Sequence, residues 1–105
     1  IHTLPDLVQP LVFDMAINHG PKNGNRMLQK TVNLAGFGPM TVDGVIGPGT
    51  RKCVQAASDA MGNYLVNAMV EERLKFYHRI VARRPKSKVF LKGWTRRANS
   101  FKLPV

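Results

Sequence analysis

The 105-residue chain carries a formal net charge of +10, with 16 Lys and Arg against 6 Asp and Glu, and is 44% hydrophobic. That length allows one modest core, the apolar share excludes global disorder, and no apolar run reaches the length of a transmembrane helix. A single cysteine, Cys53, excludes an intrachain disulfide and a cysteine zinc site.

The charge is unevenly placed. Residues 1–70 hold five Lys/Arg and four Asp/Glu, whereas residues 71–105 hold eleven and two. A polyanion or an anionic surface is the natural partner of such an end. The opening "IHTLPDL" has neither an initiating Met nor the basic region of a signal peptide, which leads to the expectation of a fragment.

In chain order, the pattern predicts a first helix over Pro5–His19, stopped by Gly20 and Pro21. Val8, Val12, Phe13, Met15, Ala16 and Ile17 cover most of its circumference, so it reads as buried, with Asp14 and Asn18 as its one polar stripe. A second helix is predicted over Asn25–Ala35 and a third over Pro48–Ala60. The longest, Asn63–Arg83, places Leu65, Val66, Met69, Val70, Phe76, Tyr77, Ile80 and Val81 on one half of its wheel, with Arg73 in their midst. Pro85 breaks it, and a short helix over Val89–Ser100 presents Phe90, Leu91, Trp94 and Ala98. No strand pattern or internal repeat is visible, so the fold class is all-α, with about five helices.

The segment "TVDGVIGPGT", Thr41–Thr50, is rich in turn residues. A Walker loop requires Lys before Ser/Thr, and here Gly49 precedes Thr50. A dinucleotide fingerprint requires a preceding strand, and a calcium loop several oxygen ligands, whereas Asp43 is the sole carboxylate. A turn explains it better: Asp43-Gly44 bends the chain, Pro48 opens a helix, and Asp43 or Thr50 is placed to cap it. A helix start beside such a turn also suits a carboxylate ligand.

"RMLQKTVNLAGFGPMTVDGVIGPGTRKCVQAA" resembles the peptidoglycan-binding module pattern through Leu28, Gln29, Gly36, Asp43, Gly44, Gly47 and Thr50. With "LVFDMAINHG" upstream and "LKFYHRI" and "FLKGWTRRA" downstream, the chain resembles the C-terminal part of glycoside hydrolase family 108, the N-acetylmuramidases of phages and bacteria. That resemblance implies a lysozyme-like helical fold and an endolysin-type parent that cleaves the β-1,4 link after N-acetylmuramic acid. It also implies that residues 1–23 are the last helix of a catalytic region and residues 24–105 the peptidoglycan-binding part. The family's Glu-Gly-Gly motif is absent from this sequence, so the catalytic residue is unassigned and the chain is expected to bind rather than cleave.

Among the acids present, Glu71 is placed to pair with Lys75, Glu72 borders an apolar face, and Asp59 reads as solvated. Asp14, on a helix read as buried, requires a partner. Either it pairs with Arg73, or it lines a sugar cleft with Asn18 and His19. His19 otherwise ends a helix, where its cationic form suits the dipole. The candidate substrate-binding residues are Asp14, Asn18, His19, Asp43, Gly44, Gly47, Thr50 and Trp94. No metal or cofactor is expected. The implied partner is peptidoglycan at the cell wall or periplasm, reached through a holin-like or secretion route. Anionic outer-membrane lipid is a further candidate for the basic end, while DNA or RNA is disfavoured because no exposed recognition helix or aromatic stacking platform stands out.

Overall fold

The computed structural model describes residues 4–105. Five α-helices follow in order: α1, Gln9–His19; α2, Pro21–Leu34; α3, Pro48–Met61; α4, Asn63–Arg83; and α5, Lys88–Asn99, with a 3-10 turn at Pro85–Ser87 before α5. The described residues contain no strand, so the fold is all-α as predicted.

The longest helix, α4, packs against α2, α3 and α5, while α1 lies chiefly on α2. The core draws on every helix: Leu11, Val12 and Met15; Met27, Leu28 and Val32; Val54 and Ala57; Leu65, Val66, Met69, Val70 and Tyr77; and Ala98. The chain after α5 folds back along α4. There Asn67 exchanges two hydrogen bonds with Leu103, at 2.8 and 2.9 Å, and Asn63 donates to the carbonyl of Pro104.

Two corrections concern α1. It begins at Gln9, because Pro5–Val8 forms a turn closed by a 3.1 Å bond from the Val8 amide to the Pro5 carbonyl. Nor is it buried all round: Phe13 is 57% and Ile17 66% exposed. Its inward face meets α2, and no described element covers the outward one.

Gly20, at φ 85°, ends α1, but α2 starts at once at Pro21 and not at Asn25. Proline fits a first helical turn, where its missing N–H leaves no bond unmade. Gly24 then lies inside α2 and against α1. A Cβ there would come within 3.2 Å of the Ala16 amide nitrogen and 3.3 Å of the Met15 carbonyl carbon, so the absent side chain sets how closely the helices approach. The residues read as a break are therefore the start of a helix.

Smaller departures follow from neighbours invisible in one dimension. Glu71 pairs with Lys102 at 2.8 Å and not with Lys75, because the returning tail passes α4 there. Asp59, by contrast, is exposed as expected and accepts a 2.9 Å bond from Gln55, one helical turn away. Cys53 is half-buried against the core. Leu91 and Trp94 dock on the core, but Phe90 is 58% exposed and stacks on Trp94.

Candidate functional site

The Asp-Gly loop is organised by a residue from another helix. Gln29 of α2 is fully buried, and its amide oxygen accepts the Gly44 N–H at 2.9 Å. Its amide nitrogen lies 3.1 Å from Asp43 Oδ1, 3.0 Å from the Val45 carbonyl and 3.2 Å from Thr50 Oγ1. Two N–H bonds thus serve three acceptors, and one amide group satisfies most of the turn.

Asp43 also accepts the Val45 N–H at 2.9 Å, and these bonds hold its carboxylate below the usual range. Neither Asp43 nor Thr50 caps α3; Gly47 occupies the N-cap position without a side-chain bond. The predicted cap is absent because both side chains are engaged within the loop. The amides of Gly44 and Val45 are consumed there as well, which leaves them no hydrogen to offer a ligand.

A second cluster joins residues up to 83 positions apart in the chain. Asp14 is buried; its Oδ2 lies 2.8 Å from Nη1 of Arg73 on α4, and its Oδ1 accepts Nε of Arg97 on α5 at 3.1 Å. Of the two sequence alternatives for Asp14, the pair with Arg73 is therefore formed. Burial raises the Asp14 pKa, but the two guanidinium groups outweigh it and leave the carboxyl below its usual value.

Arg73 has no exposed surface, and its Nε donates to the Tyr77 hydroxyl at 2.7 Å. Its Nη1 is an ion-pair contact with Asp14 without hydrogen-bond alignment, and Nη2 has no hydrogen-bond partner among the described residues. The guanidinium also lies 5.7 Å from the Tyr77 ring centre and 5.9 Å from that of Phe101, within cation–π range.

The Tyr77 hydroxyl is 3.2 Å from His19 Nε2. Because that hydroxyl already accepts from Arg73, donating its own proton to Nε2 leaves no hydroxyl hydrogen idle and places the imidazole proton on Nδ1. Burial, and then the Arg73 charge, lower the His19 pKa from 6.5 to about 4. His19 is therefore neutral near pH 7. The expectation of a cationic, dipole-stabilised His19 is corrected: the ring faces an arginine in a half-buried site. Burial pushes the Tyr77 phenol up, keeping it protonated.

Asn18, His19, Arg73, Tyr77, Ile80, Gly93, Trp94 and Arg97 line a cleft of about 190 Å³. That is smaller than the roughly 300–1,000 Å³ of drug-sized ligand sites and suits one ring or one charged group at a time. Trp94 stacks on Tyr77 at 5.2 Å and on Phe90 at 5.7 Å, so the cleft wall is a short aromatic ladder.

Of the sequence candidates, Asn18, His19 and Trp94 are brought together on this cleft, with Asp14 behind it holding two of its arginines. Asp43, Gly44 and Thr50 gather instead around Gln29, with Gly47 beside them at the start of α3. Sequence reasoning missed Tyr77 and Arg97 as cleft residues and Gln29 as the organiser of the loop. An Arg73–Tyr77 pair at i,i+4 inside an apolar helix face was a usable signal for Tyr77. For Arg97, one of 16 Lys and Arg, there was none. No described cluster of three or more His, Cys, Asp or Glu could hold a metal, and no described helix is long and apolar enough to cross a membrane.

The domain is thus a small helical body with a glycine loop stitched shut by a buried amide and a narrow polar–aromatic cleft. The chain belongs to the family described as Predicted Peptidoglycan domain, whose model matches residues 23–99. No curated protein and no solved structure matches it.

Proposed function

We propose that this domain binds peptidoglycan at the cleft between α1, α4 and α5, as the wall-binding end of a muramidase of the endolysin type. The convergence of Asn18 and His19 from one end of the chain with Trp94 and Arg97 from the other carries this reading. Asn18 offers an amide and His19 a neutral ring with an Nδ1–H donor, the groups suited to N-acetyl and hydroxyl oxygens. Arg97, which stays 60% exposed while it pairs with Asp14, can donate to the lactyl carbonyl oxygen of N-acetylmuramic acid. Asp14 serves the site by fixing Arg97 and Arg73, while Asp43, Gly44 and Thr50, with Gly47 beside them, form a separate loop around Gln29 between α2 and α3.

The resemblance to glycoside hydrolase family 108 supports a parent enzyme that hydrolyses the β-1,4 link after N-acetylmuramic acid at the wall or in the periplasm. In this reading residues 1–23 are the last helix of its catalytic region and residues 24–105 are the binding part. The chain binds, and the Glu-Gly-Gly segment it lacks would do the cutting. One observation favours a secondary contact with anionic outer-membrane lipid: Val89 and Phe90 are exposed and flanked by Arg83, Arg84, Lys86, Lys88 and Lys92.

Co-sedimentation with purified insoluble peptidoglycan under excess competing DNA tests the main reading. Retention on the wall material is the expected result; release by DNA would favour a nucleic-acid binder instead. Trp94, the one tryptophan, makes the cleft separately visible. Soluble wall fragments should change its emission, and an unchanged spectrum at saturating wall binding would move the contact elsewhere.

A further inference from the structure

The cleft has a neighbour on the other side of α4. Arg26 and Lys30 of α2 and Arg79 and Arg83 of α4 line a groove of about 210 Å³, together with Asn23, Met27, Val42, Glu72 and Phe76. Four cations thus face one carboxylate. Glu72 is buried and lies 3.1 Å from Lys30 and 3.5 Å from Arg79, so those two cations have an internal partner. Arg26 and Arg83 are exposed, and neither forms an ion pair with a described carboxylate. The rest of the lining is largely apolar, from Met27, Val42 and Phe76, with Arg79 5.9 Å from the Phe76 ring centre.

One ring pair separates the two depressions. His19 of the cleft meets Phe76 of the groove edge-on, with centres 5.2 Å apart. Phe76 and Tyr77 are adjacent on α4, so their side chains diverge by about 100° and aim into different depressions. A ligand occupying both must therefore carry a neutral, hydroxyl-rich part beside an anionic part with small apolar groups. Peptidoglycan has that chemistry: a glycan backbone from which a short peptide of alanines and carboxylate-bearing residues branches.

We propose that the α2–α4 groove is a stem-peptide site, in which Arg26 and Arg83 take the peptide carboxylates and Met27, Val42 and Phe76 the alanine methyl groups. The neighbouring cleft holds the sugar. The assignment rests on the wall-binding reading above and adds that the domain recognises the branch point, where glycan and peptide meet, over the bare glycan. Arginine forks suit this task because they hold carboxylates in two-pronged geometry.

The test uses the whole chain, isotope-labelled, with three probes: L-alanyl-D-glutamate, an N-acetylglucosamine oligomer without peptide, and inorganic phosphate. The dipeptide should perturb Arg26, Arg83 and Phe76, and the oligomer Asn18, His19 and Trp94. Arg26→Ala with Arg83→Ala, both at exposed positions that leave the core intact, should weaken the dipeptide at least tenfold and leave the oligomer unaffected. Lys52→Ala with Lys75→Ala, both exposed and outside either depression, removes the same charge elsewhere and should change neither. Silence of the groove toward the dipeptide, an equal loss in the Lys52/Lys75 control, or displacement by an equal concentration of phosphate would each overturn the assignment. Co-sedimentation of the unmodified chain with intact peptidoglycan separates the two claims. If the chain sediments and the groove stays silent, only the groove assignment falls; if it does not sediment, both do.

Discussion

Arg73 and Asp14 form an ion pair at 2.8 Å in which the arginine has no exposed surface at all. The two residues are not equally protected against loss of the other. Asp14 keeps Arg97 when Arg73 is removed, whereas Arg73 keeps no carboxylate within the described structure when Asp14 is removed. Stranding a buried charge costs about 3–5 kcal/mol, so Asp14→Ala should destabilise by about that amount. Arg73→Met should cost less, near 1–2 kcal/mol, because an apolar chain can fill the space and Arg97 still neutralises Asp14. Urea unfolding midpoints of the two variants check the order; equal losses would mean that Arg97 does not act as the second partner.

The His19 shift makes stability depend on pH in a definite direction. A histidine depressed from 6.5 to about 4 binds fewer protons folded than unfolded between those values, so stability is full above pH 6.5 and falls as pH drops toward 4. Partial exposure of the ring reduces the effect to about 1–2 kcal/mol. The depressed carboxyls of Asp14 and Asp43 contribute only from the ordinary carboxylate range downward, so the interval from pH 7 to 5 reports His19. His19→Gln should flatten the unfolding midpoint across that interval. An unchanged slope would place the titrating group elsewhere.

The glycines of the loop should divide sharply. Gly44 has φ 81°, and a Cβ there would approach Lys22 Cγ to 2.6 Å and the Lys22 carbonyl oxygen to 2.9 Å. Gly44→Ala should cost about 1–3 kcal/mol through backbone strain and contact. Gly47 has φ −99° and open space around it, so Gly47→Ala should stay within about 0.5 kcal/mol. Thermal unfolding of the two variants decides this. Gly47→Val, folded, further tests whether the loop touches the wall: retained binding would take the loop out of the contact.

Gln29→Leu should leave the core filled and unstitch the loop. Four bonds are lost, and the Gly44 amide is left without its acceptor, at a cost of about 1–3 kcal/mol. Hydrogen exchange should accelerate at Gly44 far more than at the amides of α4. A uniform loss of protection would show that the loop and the core unfold as one unit.

Much of this domain was legible in its sequence because helices are local. Apolar periodicity located all five, the Asp-Gly turn followed from residue chemistry, and Arg73 on an apolar face demanded an acid that Asp14 supplied. Where the local reading failed, the deciding neighbour came from elsewhere in the chain. Gly24 is helical because α1 runs against it, Phe13 and Ile17 are exposed because no described element covers them, and Glu71 turned to Lys102 because the tail returns along α4. The site shows the same division. The sequence by itself determined which groups could serve it: an amide, an imidazole, an indole and an excess of cations. Only the tertiary structure decided that His19 is neutral, because that depends on burial beside Arg73, and that Arg97, of all the cations of the basic end, joins Arg73 at Asp14. Charge and hydrogen bonding act through distance in space, and distances between helices are set by packing, not by spacing along the chain.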